Sequence, residues 1–222
     1  MKTLLSKAWL PAGLLLAVAF VLAGCGGAGG GQYGSGSGGG MAGMDHGQMD
    51  HGSMGMGSGE MARRIVMENG KYSDERFIDA MVPHHQGAIA MAKVALKNAE
   101  HDEIRGLSRN IVSTQQAEIE ELKAIKKEEF GTSNVPMEMS QQQMRSMGVM
   151  MDPRHLAQSK VFDKAFMDAM IPHHQSAIEM AKVAKEESGK PRIRELAGNI
   201  VSAQEREIAQ MKGWRERWYQ EG

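Results

Sequence analysis

The chain has 222 residues with 26 basic against 27 acidic side chains, so charge alone suggests neither a nucleic-acid nor an anionic-surface partner. The single cysteine, Cys25, excludes an internal disulfide framework, and aromatic residues make up only 5% of the chain. Methionine is the outlier at 20 residues; it is both an adaptable core filler and a soft ligand, so placement has to decide its role.

Lys2 and Lys7 accompany an apolar run over residues 8–22, which ends in Leu22-Ala23-Gly24-Cys25. That run reads as an export signal covering 1–24 rather than a spanning helix. The Leu-Ala-Gly-Cys ending resembles the lipobox of bacterial lipoproteins. The resemblance implies acylation of Cys25, cleavage before it, and anchorage to a lipid bilayer on the outer face of the cytoplasmic membrane or in the periplasm. A free thiol in an ordinary signal sequence is the plainer alternative.

Residues 25–60 read as a tether. Gly26 to Gly40 is nearly all glycine and serine, which buries nothing and behaves as a flexible coil. Its continuation carries Met44, Asp45, His46, Met49, Asp50, His51, Met54 and Met56 between glycines. A solvated segment has no packing use for thioethers. This spacing resembles the methionine–histidine runs of periplasmic copper-resistance proteins and predicts weak, adaptable metal capture by Met44, His46, Met49, His51, Met54 and Met56; compositional drift is the alternative.

The remainder is one unit written twice. FIDAMVPHHQGAIAMAKVA over 77–95 returns as FMDAMIPHHQSAIEMAKVA over 166–184, identical at fifteen of nineteen positions. At the same offset of 89, Ile104, Arg105, Leu107, Asn110, Ile111, Val112, Ser113, Gln115, Glu118, Ile119 and Lys123 meet identical residues between Ile193 and Lys212. In the first half (61–129), Ser73 followed by Asp74 and Glu75 predicts an N-cap and a helix to about Asn98. A second helix is expected from near Asp102 to about Glu129. In the second half (159–222), Gly189 ends one helix and Pro191 begins the next. Short turns between long helices make two antiparallel hairpins, hence an all-α four-helix bundle with no sheet. Between the halves, 130–158 is a crossover: loop from Gly131 to Pro136, then a short helix from Ser140 to Met147. Its Met144, Met147, Met150, Met151 and His155 either pack over the bundle end or form a further metal site.

At about 100° per residue, Phe77, Met81, His84, His85, Ala88, Met91, Ala92 and Ala95 share an arc of roughly 120°. That is the stripe a helix turns to its core, so two imidazoles and two thioethers face inward in each half. One such histidine is ordinarily a core residue with a hydrogen-bond partner. Four are harder to explain, because each unpaired buried imidazole costs on the order of 1–3 kcal/mol. Coordination would offset that cost. Pro83 either kinks the helix at the histidines or starts a new helix there. Thioether plus imidazole without thiolate suits Cu(I), with Ag(I) as its mimic, while Cu(II) can use the histidines and Asp oxygens. No Glu-x-x-His occurs, which argues against a carboxylate-bridged di-iron oxidase. Gln115 with Glu118, and Gln204 with Glu207, recur in the second helix of each half. They can orient a histidine ring or make a plain interhelical hydrogen bond.

The doubled MxPHHxxAIxMA signature resembles the DUF305 family of exported bacterial proteins, over roughly 73–219. The resemblance implies a ferritin-like four-helix bundle in the cell envelope and, as in characterised members, copper binding through methionine and histidine. By motif it points to Met81, His84, His85 and Met91, and to Met170, His173, His174 and Met180. The lipobox and glycine tether depart from soluble relatives. The expectation is an exported, lipid-anchored protein that sequesters or transfers copper for tolerance or homeostasis, without turnover, and hands it to copper-handling envelope proteins. A metal-dependent oxidoreductase on the same bundle and a purely structural or adaptor lipoprotein are the rival readings.

Overall fold

Ser73 opens the first long helix as expected: its hydroxyl accepts from the Arg76 backbone N–H at 3.4 Å, and Asp74 and Glu75 fill the first turn. The computed structural model describes residues 58–136 and 153–219. Its helices are α1 (Ser58–Ile65), α2 (Asp74–Asn98), α3 (Asp102–Phe130), α4 (Pro153–Ala157), α5 (Phe162–Glu187) and α6 (Pro191–Trp218). The export signal, Cys25, the 41–56 segment, the helix expected over 140–147 and Met144, Met147, Met150 and Met151 lie outside the described residues. His155 is in α4 and exposed.

Helix ends follow local chemistry. Gly131 closes α3 in the left-handed region at φ 75°, where a side chain would be strained, and its N–H reaches the Lys127 carbonyl at 3.1 Å. Pro191 occupies the first turn of α6. α2 runs unbroken through Pro83 and α5 through Pro172, so Pro83 does not start a new helix. Its missing N–H leaves the Asp79 carbonyl without the usual partner one turn later.

α2 pairs with α3 and α5 with α6, and the two hairpins meet through α2 and α5. This is the ferritin-like four-helix bundle the repeat implied. Small side chains line the buried faces of these two helices: Ala88, Ala92 and Ala95 on α2 and Ala177, Ala181 and Ala184 on α5 are all fully buried. Phe77 and Phe166 are also at 0% exposure. The turn between α2 and α3 is tied to the start of α5 by the buried Asp163. Its carboxylate accepts from the backbone N–H groups of Glu100 (3.1 Å) and His101 (2.9 Å) and lies 2.7 Å from His101 Nδ1. The His101 ring stacks on Trp218 with centroids 3.8 Å apart. No described helix is long and apolar enough to cross a membrane.

Two features differ from expectation. α1 starts inside the segment read as tether and lies along α5, where Arg63 Nε donates to Glu179 Oε2 at 2.8 Å. A two-stranded antiparallel ribbon, β1 (Met67–Glu68) and β2 (Lys71–Tyr72), precedes α2, although no sheet was expected. Its turn is Asn69-Gly70, both at positive φ (51° and 77°), the geometry of a type I′ hairpin.

The repeat sets up a natural comparison of ion pairs. Lys126, 1% exposed, pairs with Asp79 and lies 3.4 Å from Glu75, whereas the equivalent Arg215–Asp168 pair (2.6 Å) is partly solvated. Removing one partner of a buried pair strands the other charge, while a surface pair contributes little. Glu75 stays 3.4 Å from Lys126, so Asp79→Asn should lower unfolding stability by about 1.5–3 kcal/mol, the worth of a hydrogen bond to a charged group. Asp168→Asn should cost less than about 1 kcal/mol. Urea unfolding followed by circular dichroism measures both.

Candidate metal centre

The eight residues singled out by the repeat are brought to the helix faces that form the core. His84, His85, His173 and His174 are each 0% exposed, as are Met81, Met170 and Met180, and Met91 is 2% exposed. His84 and His173 occupy equivalent positions in the two halves and touch, with ring centroids 3.8 Å apart and planes tilted by 43°. Equivalent residues meet in this way at the axis of a two-fold arrangement. His85 and His174 flank that contact, each ring 6.2 Å from its neighbour's.

The four rings differ in what holds them. His84 Nε2 lies 2.8 Å from Ser176 Oγ, and that hydroxyl donates to the His173 carbonyl at 2.8 Å. Ser176 Oγ thus links the two histidine positions, His84 through its ring and His173 through its carbonyl. His85 Nε2 is 2.8 Å from Glu118 Oε2, and His174 Nε2 is 2.6 Å from Glu207 Oε2. The His85 contact is not an aligned hydrogen bond, and among the described residues neither ring nitrogen of His85 or of His173 has a hydrogen-bond partner. For His173 the repeat explains why. The position equivalent to Ser176 is Gly87, which has no hydroxyl to return to His173.

Sequence reasoning missed Ser176, although it is one of only four differences within the repeated stretch. It also left the roles of the glutamines open. Gln115 Oε1 and both amide atoms of Gln204 are buried without hydrogen-bond partners among the described residues, and it is Glu118 and Glu207 that approach the rings. Among the described residues no group of three or more His, Cys, Asp or Glu side chains stands ready as a metal cage. Imidazole lone pairs and thioethers are donors that would suit a soft ion.

Burial, and then the neighbouring His84, His174 and His85 rings, hold the His173 imidazole well below the usual histidine range. His173 is thus neutral at pH 7 with a lone pair available.

A family model for a domain of unknown function, DUF305, matches residues 28–126 and again 126–215. The chain belongs to the DUF305 family. Solved structures similar to this DUF305 protein include CopM in its Cu(II)-bound form, at 42% identity and TM-score 0.62, and CopM in its Cu(I)-bound form, at 40% identity and TM-score 0.61. Each match covers 67% of this chain and 99% of CopM. A DUF305 fragment from Deinococcus radiodurans aligns at 26% identity and TM-score 0.59, over 65% of this chain and 95% of that one. The uncharacterised protein L153 of Acanthamoeba polyphaga mimivirus is 41% identical over 54 residues, which is 24% of this chain and only 36% of the viral protein.

A folded-state pKa below the unfolded one has a definite consequence for the metal-free protein. Above about pH 6.5 both states leave His173 neutral. As pH falls below that value the unfolded chain takes up a proton that the folded chain refuses. Stability of metal-free protein should therefore fall from pH 7 towards pH 5, at up to ~1.4 kcal/mol per pH unit for this one group. His173→Gln should flatten that slope in urea unfolding curves collected at successive pH values.

Proposed function

We propose that this protein binds copper, chiefly as Cu(I), in the core of its bundle, and sequesters or hands over the ion in the cell envelope without catalytic turnover. The observation that carries the reading is the set of four fully buried imidazoles at the α2–α5 contact, two of them, His85 and His173, with no hydrogen bond at either nitrogen among the described residues. Four thioethers, those of Met81, Met91, Met170 and Met180, are buried on the same two helices. Imidazole with thioether and no thiolate is a donor set for Cu(I), with Ag(I) as its mimic, while Cu(II) would rely on the imidazoles. The copper-bound forms of CopM, at 40% and 42% identity, support the same choice of ion.

The rest of the chain fits an extracytoplasmic carrier. Acylated Cys25 would hold the mature protein at a membrane, and the methionines and histidines of 41–56 would collect ions. Weak, adaptable ligands outside and a dry, soft-donor core inside make a gradient along which copper moves inward. Copper-handling envelope proteins would be the recipients. Acidification should release the ion, because protonated imidazole cannot coordinate.

Replacing His84, His85, His173 and His174 together by alanine tests the reading. Titration with Cu(I) against a competing chelator should show the bundle ion lost, with helical circular dichroism retained. Deletion of 41–56 should remove only the weaker sites. Unchanged affinity in the quadruple variant would overturn the bundle site.

A further inference from the structure

We infer that His85 and His174 present Nδ1, not Nε2, to the bound ion, and that Glu118 and Glu207 set this choice by keeping the opposite ring nitrogen protonated. The inference rests on the copper reading for its ligand, but its structural half stands on atoms of the metal-free protein. A neutral imidazole has one N–H and one lone pair, and an ionised carboxylate only accepts. The nitrogen beside the carboxylate must therefore be the one with the hydrogen. His174 Nε2 makes an aligned bond to Glu207 Oε2 at 2.6 Å. His85 Nε2 lies 2.8 Å from Glu118 Oε2, close but less well aligned. Lone pairs consequently sit on the two Nδ1 atoms, and both are buried without a hydrogen-bond partner among the described residues.

Two observations make this more than one fortunate contact. The arrangement occurs twice, at the sequence offset of 89 that relates the halves, from helices α2 and α3 and from α5 and α6. The carboxylates are also held: the Glu118 and Glu207 side chains are only 16% and 12% exposed, so they are packed against the rings rather than swinging in solvent. A carboxylate behind a coordinating imidazole fixes the ring's rotation and raises its basicity, and losing one typically lowers metal affinity by about 10- to 100-fold. Glu118 and Glu207 are thus positioning residues, and their partner rings are pre-set before the ion arrives.

Long-range proton–nitrogen correlation spectra of the 15N-histidine-labelled, metal-free full chain report each ring's tautomer directly. His85 and His174 should appear as the Nε2–H form. In the isosteric double variant Glu118→Gln, Glu207→Gln that preference should weaken, and Cu(I) affinity against a competing chelator should fall by about 10- to 100-fold with helicity unchanged. Nδ1–H tautomers in the wild type would overturn the inference. So would a double variant that keeps both tautomers and full affinity. Tautomers as assigned in a wild-type protein that takes up no Cu(I) would instead overturn the copper reading, and the donor role of Nδ1 with it.

Discussion

The structure depends on a costly act: placing four imidazoles, out of reach of water, where its two central helices meet. Each imidazole carries a donor and an acceptor, and each group left unsatisfied in a dry core costs on the order of 1–3 kcal/mol. A domain with a net stability of roughly 5–15 kcal/mol tolerates few such groups unless something returns the energy. Two of the rings recover part of it through hydrogen bonds to Ser176 and Glu207, while His85 has only the nearby Glu118 carboxylate. Among the described residues His173 recovers none through hydrogen bonds, and the buried Gln204 amide is equally unsatisfied. A metal ion that binds the folded state alone would supply the missing stabilisation by linkage.

Duplication put the histidines there, and departures from it gave the halves different tasks. Of the four differences in the repeated nineteen residues, two have visible consequences. Ser176 in place of Gly87 anchors His84 and the chain at His173, while His173 gets no reciprocal partner. Glu179 in place of Ala90 receives Arg63 of α1, so the added helix packs chiefly on the second half. The remaining two, Ile78 against Met167 and Val82 against Ile171, exchange one apolar side chain for another, and nothing in the structure assigns them more than packing.

Much of this was legible in the sequence because the strongest signals are local and repeated. Ser73 and Pro191 punctuate helices by mechanisms that act within one turn, and the 3.6-residue period put Met81, His84, His85 and Met91 on the buried face. What stayed illegible depends on partners distant in the chain. That Ser176 meets His84 across the hairpins, and that the carboxylate of Glu118 rather than the amide of Gln115 meets His85, follows from how helices cross, which spacing along one helix cannot fix. The small ribbon was missed for another reason. Asn69-Gly70 is a strong turn signal, but two residues on either side are too few to show alternation.

The central claim is that sulfur and nitrogen from the bundle core hold a monovalent soft ion together. Copper K-edge X-ray absorption on the Cu(I)-loaded protein tests it most directly, with tether ligands removed by Met44→Ser, His46→Ala, Met49→Ser, His51→Ala, Met54→Ser and Met56→Ser. Sulfur and nitrogen neighbours around one copper are the expected result. Nitrogen or oxygen neighbours alone, or no copper retained once the tether ligands are gone, would contradict it.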